Sequence, residues 1–286
     1  MNQSQQHSSV SASDDFTAPI TLPRMPGLTE APYEAIAGKM SRFIARNVAV
    51  KKLAMRNARP LVSFTFDDAA ASACVAGAAL LEQHHARATF YISGGKCGKA
   101  SPTGRLASID QVKALHAKGH EIACHTFSHM PVVGISRETL TGDLERNRAF
   151  LQGFLGDDVP INNFAYPYGD ISFTTKRYLG QRYDSCRALT PGVNAGIADL
   201  GVLKACALEQ VAIDRKAISR LIAETIRRNG WLLFASHDVT ETPSHYGVRP
   251  DLLAFAVRSA LAAGCELVTV AQALRRIRGL EPNGQA

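Results

Sequence analysis

The chain has 286 residues, 46% of them hydrophobic and 20% charged, which is enough apolar material for one substantial core at a size that barrel-like α/β domains reach without splitting. Its net charge of +7 permits attraction to acidic glycans, nucleic acid or anionic lipid. Neither basic cluster, Lys51-Lys52-Arg56-Arg59 or Arg275-Arg276-Arg278, is interleaved with aromatics, so both read as solvated helical faces and nucleic-acid binding is not expected.

In chain order, the Ser-, Gln- and Asp-rich start predicts disorder to about Pro19. A helix follows over Tyr33–Val48, with Ile36, Met40, Phe43 and Ile44 on one stripe that is expected to pack under the barrel. Strand-like runs lie at Leu61–Phe66, Ala88–Ser93, Glu121–His125, Asn163–Tyr166, Tyr183–Ala188, Val202–Leu208, Trp231–Ser236 and Glu266–Val270. Helical patterns alternate with them at Ala70–His85, Ile109–Lys118, Arg137–Leu155, Phe173–Gly180, Arg215–Asn229 and Pro250–Ala263, with Ser108, Ser136 and Asp214 as N-caps. Repeated βα units of this kind predict an α/β fold, a distorted (β/α) barrel, not a sandwich. Residues 1–54 read as a disordered N-terminus with a helical extension, and residues 55–280 as one catalytic domain.

Six cysteines lie mostly in apolar segments without a C-x-x-C pair, a usage that suits reduced thiols, with Cys124 as a small hydrophobe beside His125. No basic segment followed by an apolar one opens the chain, and no stretch approaches the ~20 apolar residues of a spanning helix. A cytoplasmic location without a transmembrane segment is the expectation.

Chemistry concentrates where strands end. Asp67 and Asp68 close the first run, and adjacent carboxylates that both stay ionised commonly give one to a cation, although an Asp before an Ala-rich stretch also caps a helix. His125 and His129 are four apart, so two imidazoles can converge on one ion from one face of a turn, or simply sit on a solvated turn. Both pairs fall just after predicted strands, at what would be the catalytic face of a βα barrel. Two histidines and one carboxylate leave a position open on a small divalent ion, as a catalytic metal site requires. His237 ends another strand-like run, and beside a metal site it is suited to act as a general acid.

These segments resemble the polysaccharide deacetylases, carbohydrate esterase family four, which include the nodulation-type chitooligosaccharide deacetylases. The resemblance spans roughly Pro60 to Leu274. The family's T-F-D-D-G motif matches Thr65–Asp68 with Ala69 at the glycine, which implies Asp67 as general base and Asp68 as metal ligand. H-[ST]-x-x-H matches His125-Thr126-Phe127-Ser128-His129 and implies the other two ligands. The third motif, R-x-P-Y, aligns with Ala165-Tyr166-Pro167-Tyr168, so the oxyanion-binding N–H passes to Tyr168 while the arginine that holds the base is missing. The fourth motif is not recognisable in Tyr183–Leu189, and L-x-x-H is met by Phe234-Ala235-Ser236-His237, giving His237 the general-acid role. The F-A-Y-P-Y-G pattern is similar to the branch found among deacetylases of exopolysaccharide and adhesin biosynthesis.

The resemblance implies a barrel of the polysaccharide deacetylase type, a divalent metal with zinc as the default, and hydrolysis of N-acetyl groups on the amino sugars of a poly- or oligosaccharide. Two rivals stand beside it: a same-fold hydrolase of a non-carbohydrate amide such as a cyclic ureide or imide, and a sugar-binding homologue without catalysis. Arg187 is the candidate to replace the missing arginine. A guanidinium in the apolar segment Tyr183–Leu189 needs a partner, and Asp67 needs a fixed orientation.

Overall fold

The computed structural model describes residues 30–280, with side chains from residue 38 onward. The disorder expected to about Pro19 and the Ile36 side chain lie outside the described residues. The first helix, α1 (Glu30–Asn47), precedes a barrel whose strands alternate with helices. The central strand, β1 (Leu61–Asp67), is buried along its whole length, as a parallel strand covered on both faces must be. Period-two alternation sends Val62, Phe64 and Phe66 into the large core beneath the helices and turns Ser63, Thr65 and Asp67 to the opposite face.

After β1 come α2 (Ala78–Glu82), β2 (Thr89–Ile92), α3 (Ile109–Ala117), β3 (Glu121–Cys124), α4 (Arg137–Leu155), β4 (Asn163–Ala165), α5 (Phe173–Arg182) and β5 (Ser185–Ala188). Next are β6 (Leu203–Lys204), β7 (Cys206–Ala207), α6 (Arg215–Arg227), β8 (Trp231–Ser236), α7 (Pro250–Ala262), β9 (Glu266–Leu267) and α8 (Val270–Arg278). All barrel pairings are parallel, in the order β6-β5-β4-β3-β2-β1-β8-β7. The two ends of that order are neighbours in the chain, so the single expected strand Val202–Leu208 changes partner at Ala205 and brings the sheet nearly to closure. Ala205 N–H itself donates to Thr190 O at 3.0 Å. β9 wedges beside the first half of β1, pairing with Leu61 and Val62 before β2 takes over at Thr65. The expected distorted (β/α) barrel is the fold.

Local signals explain most element starts. Ser108 caps α3 in a reciprocal box with Gln111, Ser136 Oγ accepts from Thr139 N–H at 3.1 Å, and Asp214 Oδ1 accepts from Ala217 N–H at 2.7 Å. The expected helix Ala70–His85 begins instead with a π-helical turn, Ala73–Gly77, pressed so closely on the sheet that a Cβ at Gly77 would lie 3.1 Å from Val239 and 3.2 Å from Phe66. The last expected strand stops at Leu267. Thr269 then caps α8 in a box with Gln272, a start the sequence reading did not place, although it took Arg275-Arg276-Arg278 as a solvated helical face.

α1 differs from expectation. It does not sit under the barrel on its Met40–Phe43 stripe, because Phe43 is 63% exposed and the helix lies against α5 through its small residues. Phe173 N–H donates to Ser41 Oγ, and Ala45 is fully buried. The attachment is polar at its end: the buried Lys176 ammonium donates to Ala45 O at 2.6 Å and Val48 O at 2.8 Å while pairing with Asp199 at 2.5 Å. Asp199 in turn accepts from the N–H groups of Lys51 and Gly201, both at 3.0 Å. No helix among the described residues is long and apolar enough to cross a membrane.

Candidate active site

Every parallel strand points its C-terminal end to one face, and the residues singled out above follow those ends. Asp68 leaves β1 in the left-handed region, φ 57°, and Ala69 follows at φ 52°, a conformation that costs a non-glycine residue roughly 1–2 kcal/mol. Ala69 O accepts from Ala107 N–H at 2.9 Å, which fixes the turn. The turn after β3 carries His125, wholly buried, and His129, itself at φ 56°. A carboxylate on α4 holds this turn: Asp143 accepts from Phe127 N–H at 2.6 Å and from the Ser128 hydroxyl. Asp143 had no sequence signal, because an acid on a solvated helix face looks like any other.

One ligand atom each from Asp68, His125 and His129 lies within 4.8 Å of the others. His129 Nε2 is 3.4 Å from Asp68 Oδ1, and that oxygen, though buried, has no hydrogen-bond partner among the described residues. Two ligands bonded at about 2.1 Å to a tetrahedral ion are separated by roughly that distance. His125 Nδ1 is 2.9 Å from Ala165 O, and a carbonyl can only accept, so the proton sits on Nδ1 and Nε2 keeps its lone pair. Burial, against the pull of Asp67 and Asp68, lowers the His125 pKa to about 4, so the ring is neutral near pH 7. An orphaned buried oxygen beside two imidazoles, with the His125 Nε2 lone pair free, fits a divalent ion.

Asp67 plays a different part in the geometry. The Arg187 guanidinium, wholly buried, forms an ion pair and hydrogen bond with Asp67 Oδ1 and stacks over the Tyr91 ring, 5.0 Å from its centre. Burial pushes the Asp67 carboxyl up, but the charges of Arg187, His125 and His237 outweigh it and bring the pKa to about 2. Strand register explains how Arg187 gets there: Ala165 and Arg187 are directly paired across β4 and β5. Arg187 thus enters from one strand over, into space that Ala123 and Ala165 leave beside Tyr91.

His237 ends β8, and its backbone N–H and Nδ1 both approach Tyr246 O, at 3.2 and 3.3 Å. Glu209 was missed in sequence. Leu208 N–H donates to Ala235 O at 2.7 Å, so continuing the β7–β8 register two residues past Ala207 sets Glu209 beside His237. Burial holds its carboxyl above the ordinary 4.5 against the pull of His237 and His245, with Asp67 adding to the rise. Tyr168 follows β4 at φ 60° and is 66% exposed. Cys124 takes no place among these groups; its Sγ accepts from Asn147 Nδ2 at 3.2 Å inside the core. A separate cleft of about 280 Å³ opens at the opposite end of the barrel, lined by Glu121, Asn163, Leu274 and Arg278 among others.

The parallel barrel gathers acid and imidazole side chains on its C-terminal rim, the face on which barrels of this kind carry their active sites. Residues 54–183 match the family model for polysaccharide deacetylase. No curated protein matches the chain. A Mycobacterium smegmatis protein described as a polysaccharide deacetylase superposes with a TM-score of 0.58 at 15% identity, over 84% of this chain and 98% of that one. A family 4 acetyl xylan esterase from Clostridium thermocellum, in complex with a cobalt ion, gives 0.53 at 20% identity, over 77% and 92%. The Bc1960 peptidoglycan N-acetylglucosamine deacetylase gives 0.53 at 18%, over 77% and 90%. At these identities the likeness establishes the fold.

Proposed function

We propose that the chain is a divalent-metal-dependent hydrolase that removes N-acetyl groups from the amino sugars of an oligo- or polysaccharide. The observation that carries this reading is the Asp68 oxygen left without a partner among the described residues, between the His125 and His129 imidazoles and adjacent to a second carboxylate tied up by a guanidinium. Asp68, His125 and His129 would hold the ion. Bound there, a divalent cation, zinc by default, supplies the Lewis acidity that polarises an amide carbonyl and acidifies water.

The chain's own groups do the rest. Asp67, kept ionised and oriented by Arg187, is placed to accept the proton of the attacking water. The Tyr168 N–H donates to the developing oxyanion. His237, with Nδ1 turned to Tyr246 O, presents Nε2 to protonate the departing amine, which is a poor leaving group until it gains a proton. Acetate and a free amino sugar result.

An open rim supports a glycan over a small cyclic amide. Asp68 and His129 side chains are each 16% exposed, and Tyr168 and Tyr246 stand out beside the site at 66% and 47%. Incubation of N-acetylglucosamine oligomers with the zinc- or cobalt-loaded protein, read by mass spectrometry, should show stepwise loss of acetyl groups. Unchanged oligomers together with opening of a cyclic imide would transfer the assignment to the rival hydrolase.

A further inference from the structure

His125 and His129 reach the same three-residue cluster, but different kinds of group hold them from behind. His125 is pinned by a buried backbone carbonyl, Ala165 O, which no side-chain substitution removes. Behind His129 stands a side chain. Tyr168 Oη is 3.1 Å from His129 Nδ1, and the two rings meet edge to face with centres 4.7 Å apart. The same phenol donates to the His129 backbone carbonyl at 3.3 Å.

We propose that the Tyr168 phenol is a positioning group for His129, fixing its tautomer and ring orientation so that Nε2 faces the ion. The inference rests on the reading of Asp68, His125 and His129 as a ligand set. A phenol has one hydrogen. With that hydrogen given to His129 O, the phenol oxygen can only accept from the ring, so Nδ1 carries the imidazole proton and Nε2 keeps the lone pair it presents 3.4 Å from Asp68 Oδ1. If the phenol hydrogen pointed at Nδ1 instead, the ring proton would sit on Nε2 and block the ligand position.

Two further observations fit the pairing. Both partners are held in the left-handed backbone region, His129 at φ 56° and Tyr168 at φ 60°, where a non-glycine residue persists only if its surroundings over-determine it. Their mutual bonds and ring contact join two turns that come from different strands, β3 and β4. The arrangement also makes one residue serve two ends of the reaction: its backbone faces the oxyanion while its side chain steadies the ion's ligand.

Tyr168→Phe isolates the phenol, because it keeps the backbone donor and the ring packing. Zinc affinity, measured by competition with a chromophoric chelator, should fall about 10–100-fold, the usual loss when a histidine ligand's second hydrogen bond is removed. Long-range proton–nitrogen NMR of the metal-free wild-type protein should show His129 protonated on Nδ1, a readout that does not depend on how the variant folds. Zinc affinity within twofold of wild type, or His129 protonated on Nε2 in the wild type, overturns the proposal. A wild-type protein that binds no divalent metal removes the ligand set and this proposal together. One that binds zinc but leaves acetylated glycans intact removes only the substrate assignment, and the Tyr168→Phe affinity still decides the role of the phenol.

Discussion

At the N-terminal ends of the barrel strands, Glu121 is half-buried and accepts from Thr89 Oγ1 at 2.8 Å, Asn163 Nδ2 at 2.6 Å and Ala271 N–H at 2.8 Å, while Asn163 Oδ1 takes the Ser185 hydroxyl at 2.7 Å. At the C-terminal ends, Asp68 Oδ1 has no hydrogen-bond partner among the described residues, nor do Arg187 Nε and Nη1. Seven non-glycine residues among those described have positive φ, and five of them, Asp68, Ala69, Thr126, His129 and Tyr168, belong to the turns at this second end. Both ends bury charge. One closes its hydrogen bonds on itself and serves as a floor; the other stores strain and leaves donors and acceptors open for something that is not protein.

The contrast can be broken most forcefully at the open end. Asp68→Ala and His125→Ala should each abolish both stoichiometric zinc and activity, whereas Asp67→Asn should keep its zinc and lose about 10²–10⁴-fold in kcat. Zinc content by elemental analysis beside kcat separates the two outcomes, and a fully active Asp67→Asn enzyme would refute the division of labour between the adjacent carboxylates. Arg187→Ala should lower turnover by about 10²-fold with zinc intact, since a misaligned base costs that much. Adding Ala165→Arg to it should recover part of the loss, as the two positions are register partners. Wild-type kinetics in Arg187→Ala would rule out that role.

At the closed end the same kind of damage should read out in stability alone. Glu121→Leu leaves Asn163 Nδ2 and Ala271 N–H unpaired, and about 1–3 kcal/mol should be lost for each group that stays buried, measured by urea unfolding, with kcat unchanged. A drop in kcat at full folding would mean that the two ends are coupled. The smallest expected effect is on pH dependence at His120. Burial pulls this histidine below its ordinary 6.5 despite Glu82, in keeping with Nδ1 accepting from Ala88 N–H at 3.0 Å. A depressed folded pKa means that the stabilisation is complete above 6.5 and is lost as pH falls toward the folded value. His120→Gln should therefore show a flatter decline in unfolding free energy than the wild type between about pH 7 and pH 5. Parallel slopes would assign the decline to other groups.

What could be read in the sequence follows from the range of each interaction. The caps at Ser108, Ser136 and Asp214 were legible because capping is settled within three residues, and the barrel because buried parallel strands are apolar runs. The division of Val202–Leu208 at Ala205 was not, since a change of pairing partner leaves no trace in composition. The start of α8 was missed because the run Glu266–Val270 ends in β-branched residues, although Thr269 and Gln272 spell a capping box. Around the site, the two aspartates, the histidines and Tyr168 were found because they sit in short contiguous segments. Asp143 and Glu209 reach the same face from a helix surface and a strand end far along the chain, and nothing near them in sequence says so.

The Lys176 contact carries a lesson for anyone wishing to shorten the chain. Cutting ahead of Val50 would strip a buried ammonium of Ala45 O and Val48 O and leave it with Asp199 alone. Such a minimal version should be designed with Lys176→Met and Asp199→Asn together, trading an interior ion pair for an apolar and a neutral group, a replacement that proteins often tolerate at no net loss. Trimmed without that repair, the shortened protein would be judged unfoldable for a reason that has nothing to do with its barrel.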